Sequence, residues 1–488
     1  MHRLLHIFKF RLFRIVFIVL IITGGVLFYQ YRQNSDDPTC RDCNLILISV
    51  DTLRPDHMGV YGYDKNTTPN IDKWAKNATV FTNMRTVVPA TLPSFVALMT
   101  GKNSFETKIY NNYGIVINGK SIDGGKPIDS NIQTLGEILK INGYTTAAFL
   151  TNLALDPKLT NIGKGFSQFE FLKEDPYAEK LDKSLYTNFI RRSIPWLEQN
   201  KNKKFFLWVH LIGPHAPYSP PIDIACNFEP SSCSEISRRG MKSLEMERKS
   251  LESCQKNEID QEKLNLFQAI YDGEIVLDDR LFGEISRKIN SLGLHKKTIV
   301  IFYGDHGEGF DHNYYFIHSH VLYDSAIKIP LIATFPDGNR WTNDKLIDNT
   351  EIFPSLLEVL GLNNNSDQQN IFSKKTPINK PEAKYIISTN VNLSKYSIQD
   401  SNYKYIYSIK GKACLNNGKS DELYDLLKDP EELNNIMFQN PDEAKILKNQ
   451  LFAYLQKYKL PEALDNNYNA TEKGEQKIII EKLKSMGY

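Results

Sequence analysis

Two acidic residues stand where a carboxylate is costly. Asn44-Leu-Ile-Leu-Ile-Ser-Val50 is an unbroken apolar run, and Asp51 follows it at once. Thr298–Tyr303 is a second such run and leads into Gly304-Asp305-His306-Gly307. A carboxylate beside a buried strand must be paired, hydrogen-bonded or bound to a metal. Taken singly, either Asp could cap a following helix. Taken jointly, with the His306 imidazole beside Asp305, they form a candidate site for one divalent cation. A third group is Thr91, in Pro89-Ala-Thr91-Leu-Pro93-Ser94, ten residues before Gly101. Pro93 suits a first helical position and Gly101 a helix stop, so Thr91 falls at the entrance to a short helix. Backbone N–H groups and the helix dipole favour an anion there. A hydroxyl at that point, near a dication, can lose its proton and attack a tetrahedral centre. A Thr that only helps cap its helix is the plainer alternative.

The elements that must position these groups read as an α/β fold. Apolar runs of strand length recur at Asn44–Val50, Thr145–Leu150, Phe205–Leu211, Thr298–Tyr303 and Ile329–Phe335. Runs without polar alternation are expected of strands buried on both faces. Amphipathic stretches at Thr134–Asn142 and Ala269–Leu292 lie between them. Strands alternating with helices predict a doubly wound, mostly parallel sheet, with ligands beyond the carboxyl ends of its strands. Residues Pro220–Gln261 are polar, charged and Cys-rich, which predicts a surface excursion. After Gly361 the texture changes to short strand patterns at Lys384–Thr389 and Lys404–Ile409 and a helix near Glu443–Lys457. A smaller α+β domain is expected there, with a helical tail at Lys473–Gly487.

The balance of 59 Lys+Arg against 57 Asp+Glu gives a net charge of +2. That offers no support for a nucleic-acid partner bound by broad electrostatics. Basic character is concentrated at the N-terminus, where Arg3, Lys9, Arg11 and Arg14 precede an uncharged run from Ile15 to Tyr31. As a helix this run would be about 25 Å long, short for a hydrocarbon core of about 30 Å but workable with snorkelling flanks. The positive-inside rule puts the N-terminus in the cytoplasm and the remainder outside, in a periplasmic or extracellular space. A cleaved signal peptide has the same layout, but no small-x-small cleavage site follows, so an uncleaved anchor is expected. The six cysteines permit disulfides in that compartment without revealing their connectivity. The expected organisation is 1–14 cytoplasmic, 15–31 anchor, 32–43 linker, 44–362 catalytic domain, 363–380 linker, and 381–488 small domain and tail.

A series of motifs gives this reading a family resemblance. Val50-Asp51-Thr-Leu-Arg54-Pro-Asp56-His57-Met-Gly59 resembles the first signature of the sulfatases within the alkaline phosphatase superfamily. Thr68-Pro69-Asn70-Ile71-Asp72, Thr91-Leu-Pro93-Ser94, Gly304-Asp305-His306-Gly307-Glu308 and His320-Val-Leu-Tyr323-Asp324 follow in the family's order. Glu422-Leu-Tyr424-Asp425 is similar to its C-terminal domain. The resemblance implies an alkaline phosphatase-like fold and a metal-dependent ester hydrolase or transferase. It implies that Asp51, Thr91, Asp305 and His306 hold one divalent ion, whether Mn, Mg, Ca or Zn. It also implies Thr91 as nucleophile, with His215 of Gly213-Pro-His215-Ala and His318 at the ester or leaving group. His320 and Lys108 are further expected substrate contacts, and Asp272 is expected to be structural.

Two departures from the pattern bear on the chemistry. The sulfatase nucleophile begins as Cys or Ser, is oxidised to formylglycine, and is followed by Pro-x-Arg; this chain has Thr91 and, in place of the Arg, Phe95. Thr cannot become the aldehyde, so a Thr ester must be released by water or an acceptor alcohol. This favours transfer or cleavage of a phosphate ester, with a small molecule, lipid headgroup or glycan as the substrate. A sulfuric ester hydrolase is the alternative. A non-catalytic surface protein on the same scaffold is a third possibility, prompted by Phe95.

Overall fold

Apolar side chains that alternate along a strand reach opposite faces of a sheet, so an unbroken apolar run needs two cores. The computed structural model has that arrangement. It describes residues 39–112, 116–117, 120–121, 126–172, 181–252, 258–362, 370–373, 384–409 and 421–458. The expected anchor at 15–31, the tail at 473–487, Cys254 and Cys414 lie outside these residues. Among the described residues no helix is long and apolar enough to cross a membrane.

Eight strands form the main sheet: β1 (Asn44–Val50), β2 (Thr79–Phe81), β3 (Thr145–Leu150), β4 (Gln168–Phe171), β5 (Phe205–Leu211), β6 (Thr298–Gly304), β7 (Leu331–Thr334) and β8 (Thr342–Asn343). Their order is β8-β2-β7-β6-β1-β5-β3-β4. The pairs β1–β5, β1–β6, β3–β5 and β3–β4 are parallel. Strand β7 runs antiparallel to β6 and β2. Ile46, Ile48, Leu207 and Val209 enter one core, and Leu45, Leu47, Phe206 and Trp208 enter the other. The strand at Ile329–Phe335 is trimmed to β7, starting just after Pro330, whose missing N–H cannot donate to a ladder.

Helix α1 (Thr91–Thr100) is wholly buried and ends at Gly101, whose φ of 68° is the left-handed stop expected of a glycine. Its start differs by two residues from the expectation. Ala90 is the N-cap and Thr91 the first helical residue, so Pro93 is third. A proline there still falls among the first-turn N–H groups that have no partner inside the helix. Helices α2 (Leu135–Ile141) and α3 (Leu181–Asn200) precede the larger correction. The polar segment 220–261 contains α4 (Ile222–Phe228) and α5 (Cys233–Leu251), and it is no surface excursion, since it buries Ala225, Ile236 and Leu244 in the first core. Its sparse apolar residues are gathered on the inward faces of helices, which mean polarity conceals. The 31-residue α6 (Gln261–Ser291) packs against α3 and α4.

After α7 (Ile352–Val359), a four-stranded antiparallel sheet is formed by β9 (Ile386–Thr389), β10 (Lys395–Gln399), β11 (Tyr403–Ser408) and β12 (Glu422–Asp425). Helix α8 (Pro441–Lys457) covers it through Ala444, Leu447, Leu451 and Leu455. Disulfides join Cys40 to Cys43 and Cys226 to Cys233.

Candidate active site and metal centre

Register brings the acidic residues together. Val50 pairs with Gly304 at the carboxyl ends of parallel β1 and β6, so Asp51 and Asp305 emerge side by side. Both are fully buried, as is His306. His306 Nδ1 lies 3.0 Å from the Gly307 carbonyl, which can only accept, so Nδ1 carries the proton and Nε2 presents a lone pair. That Nε2 is 3.5 Å from Asp51 Oδ1 and 3.7 Å from Asp305 Oδ2. None of these three atoms has a hydrogen-bond partner. Three buried acceptors facing one another without a donor are what a divalent cation satisfies, so these residues fit the ion implied by the fold family. Burial and the Asp51 charge push the Asp305 carboxyl well above its ordinary value. Burial also opposes the Asp51 charge, but His215, His210 and His306 hold that carboxyl below its usual range. Burial and the neighbouring His318 lower the His306 imidazole to about 3.

Thr91 reaches the same point from α1. Asn152 Nδ2 donates to Asp51 Oδ2 and lies 3.3 Å from Thr91 Oγ1, so one amide ties the hydroxyl to the carboxylate. The helix start is pinned to β6: Ser94 Oγ donates to the Asp305 carbonyl at 2.8 Å and lies 2.6 Å from the Tyr303 hydroxyl. Asn349 Nδ2 reaches Ser94 Oγ at 3.1 Å. One first-turn amide is committed elsewhere, since Leu92 N donates to Asn112 Oδ1 at 2.8 Å. Phe95 packs in the second core. Its ring lies 4.9 Å from Trp208, 4.9 Å from His210 and 5.8 Å from Tyr303.

Of the expected histidines, His318 stacks on His306 with centroids 4.3 Å apart, and His215 lies 5.8 Å from His318. His318 Nδ1 is 3.2 Å from Glu308 Oε1. Burial opposes the charge on both groups, yet each favours the charged form of the other, lowering the Glu308 carboxyl and raising the His318 imidazole. The other Glu308 oxygen accepts from the Tyr218 hydroxyl at 3.3 Å, and the Arg248 guanidinium of α5 lies over the Tyr218 ring at 5.3 Å. The segment expected to be a surface excursion therefore backs the His318 side of the site. His320 lies in the field of His318, which, after burial, lowers its imidazole. Lys108 is exposed at the end of a four-residue helix, and no hydrogen bond or ion pair among the described residues joins it to this cluster. Asp272 is structural as expected, bound to His57 Nδ1 and the Tyr63 hydroxyl, each at 2.7 Å.

Three residues at the site were missed from sequence: Asn152, His210 and Glu308. Asn152 follows β3 by two residues and His210 is the penultimate residue of β5, so the carboxyl-edge rule that selected Asp51 could have found both. Glu308 ends the Gly304-Asp305-His306-Gly307-Glu308 motif, and its position there does not reveal its contact with His318.

Comparison with known proteins gives a consistent picture. Residues 43–362 match the Sulfatase family model, and residues 311–460 match the model of the N-sulphoglucosamine sulphohydrolase C-terminal region. The chain is similar to arylsulfatase K of Bos taurus, 25% identical over 433 residues, covering 78% of this chain and 76% of that one. It is similar to the ulvan-active sulfatase of Formosa agariphila, 25% identical over 468 residues, covering 87% and 82%. Among solved structures, the phosphonate monoester hydrolase of Agrobacterium radiobacter superposes with a TM-score of 0.62 at 18% identity, covering 86% of this chain and 96% of that one. A protein in complex with its substrate D-glucosamine-2-N,6-O-disulfate superposes with a TM-score of 0.66 at 19% identity, covering 88% and 100%.

Proposed function

The chain belongs to the sulfatase family, and from that premise we propose that it is a metal-dependent hydrolase of sulfate esters, with Thr91 as nucleophile. The observation that carries the reading is the convergence of three unpartnered acceptors, Asp51 Oδ1, Asp305 Oδ2 and His306 Nε2, next to the Asn152 amide that reaches Thr91. The named sulfatases similar along most of the chain favour sulfate, and a sulfated glycan or a small sulfate ester is the substrate class.

A divalent cation held by Asp51, Asp305 and His306 would supply Lewis-acid polarisation of the ester oxygens and lower the pKa of a nearby hydroxyl. The remaining roles fall to this chain's own side chains. Asn152 orients the Thr91 hydroxyl through its amide. Thr91 Oγ1 releases its proton to solvent and bonds to the central atom as the bond to the leaving oxygen breaks. His318, whose charged form the Glu308 carboxylate favours, gives its Nε2 proton to that oxygen, with His215 as the other candidate donor. Water then gives a proton to the neutral His318 as it attacks the central atom, and Thr91 Oγ1 leaves and takes up a proton from solvent, which restores both groups.

A second reading rests on Thr91 itself. Without an aldehyde hydrate there is no hemiacetal collapse to expel sulfate, and direct attack by water on an alkyl-ester intermediate is chemistry well suited to phosphorus. A phosphate ester is therefore the second substrate class. The purified protein, loaded with Mn, Mg or Zn, separates these readings on matched aryl sulfates, aryl phosphomonoesters and aryl phosphodiesters. Sulfate release that exceeds phosphate release and is lost in Thr91→Ala supports the first reading. The reverse ranking, with a phosphoryl adduct on Thr91 by mass spectrometry, replaces it with the second. Full metal occupancy without turnover of any ester rejects both and leaves a non-catalytic role.

A further inference from the structure

His210 has no part in the chemistry above, yet it is fully buried beside it. It pairs in register with Ser49 across β5 and β1, and its Nδ1 lies 3.0 Å from Ser49 Oγ. On the opposite side of Ser49, Trp208 Nε1 donates to the same hydroxyl at 2.9 Å. The other ring nitrogen, His210 Nε2, has no hydrogen-bond partner and lies 3.7 Å from Asp51 Oδ2. Phe95 packs edge-on against the imidazole and holds its plane.

The groups facing the two ring nitrogens decide where the His210 proton sits. An indole can only donate, so Ser49 Oγ must accept from Trp208. The Ser49 hydrogen then has two acceptors, the Val209 carbonyl at 3.4 Å and His210 Nδ1 at 3.0 Å. Donation along the shorter contact leaves the ring hydrogen on Nε2, and the Asp51 oxygen that faces Nε2, which can only accept, selects that tautomer. The opposite tautomer would turn an Nε2 lone pair toward a carboxylate oxygen that can only accept, inside a dry site.

We propose that Trp208, Ser49 and His210 form a relay that keeps the His210 Nε2–H turned toward Asp51 Oδ2, 3.7 Å away, making His210 a positioning residue for the metal centre. Asp51 Oδ2 then faces two protein donors, His210 Nε2 and Asn152 Nδ2, and Asp51 Oδ1 is reserved for the cation with Asp305 Oδ2 and His306 Nε2. The inference rests on the reading of those three atoms as a divalent-cation site. Partners of this kind set the orientation and basicity of a ligand, and their loss typically costs about 10–100-fold in metal affinity.

Amide substitutions distinguish the two ring nitrogens. His210→Gln can place an N–H near the Nε2 position and reach Asp51. His210→Asn places its amide near the Nδ1 position, where it can bond Ser49 but falls short of Asp51. The full chain, stripped of metal, is titrated with Mn2+ by calorimetry, with thermal melting to confirm that each variant folds. The relay requires His210→Asn to weaken Mn2+ binding by about 10–100-fold and His210→Gln to recover most of that loss. A purely structural role through Ser49 predicts the reverse order, and that order overturns the proposal. Equal loss in the two variants, or no loss in His210→Asn, also overturns it. Wild-type protein that binds no Mn2+, or binding unchanged in Asp305→Ala, removes the metal site and the relay together. Binding lost in Asp305→Ala but unchanged in His210→Asn removes the relay alone.

Discussion

At the scale of single residues, the site is built from groups that would be unstable apart. Asp51, Asp305 and His306 are each buried with an acceptor turned toward the others, and Thr91 is joined to them by one Asn152 amide. Thr91→Ala is expected to reduce turnover by at least about 10³-fold, while Thr91→Ser, which keeps the hydroxyl, retains most of it; steady-state kinetics on the best aryl ester checks both. The consequence of Phe95 is different from what a missing arginine suggests. Its ring fills buried space between Trp208, His210 and Tyr303. Phe95→Ala is expected to cost about 3–5 kcal/mol of stability, read by denaturant melts. Phe95→Arg is expected to lower stability further by burying a charge without a partner, and not to restore a sulfatase-like site.

At the scale of elements, the Gly213–His215 turn is held by α6. A Cβ on Gly213 would fall 1.4 Å from Asp278 Oδ2, so the carboxylate occupies the space that only a glycine leaves. Gly213→Ala is expected to lower the melting temperature by several degrees, and Asp278→Ala in the same chain should recover part of that loss. Additive losses in the double variant would show that the two positions do not meet. One turn earlier on α6, burial raises the Glu274 carboxyl to about 8, with Ser219 N–H partly offsetting this and Glu245 adding to it. Below the ordinary carboxylate range Glu274 is protonated in both folded and unfolded chains. Between that range and about pH 8 the folded chain keeps a proton that the unfolded chain has released, so this contribution to stability falls as pH rises and levels off above pH 8. The wild-type melting temperature should therefore drop more between pH 5 and pH 8 than that of Glu274→Gln.

At the scale of the whole molecule, two expectations concern what the chain binds. Two carboxylates sharing one dry site repel each other, and a dication removes that repulsion. Chelation should lower the melting temperature, and Mn2+ at about 100 times its Kd should return about 2.7 kcal/mol. The N-terminal run Ile15–Tyr31 lies outside the described residues, and its role as an anchor is a proposal from charge and hydropathy. It predicts that the full chain sediments with membranes through a carbonate wash, while a chain lacking 1–31 stays in the supernatant. Equal partition of the two would remove the anchor.

The sequence by itself determined most of the candidate cluster, because its residues sit at strand ends. A buried parallel strand announces itself as an unbroken apolar run, and a costly acid at its carboxyl edge marks the site. That reasoning reached Asp51, Asp305 and His306, and Thr91 followed from the signals of its short helix. Tertiary structure decided the rest. The partners of these groups come from other strands and loops, and no local pattern encodes a contact between residues far apart in the chain. Asn152 meets Asp51 across 101 positions, and Ser49 meets His210 across 161. The segment 220–261 looked like solvated surface, since its apolar residues are few. Only folding gathers them on inward helix faces, where Arg248 backs Tyr218 and, through it, Glu308 and His318.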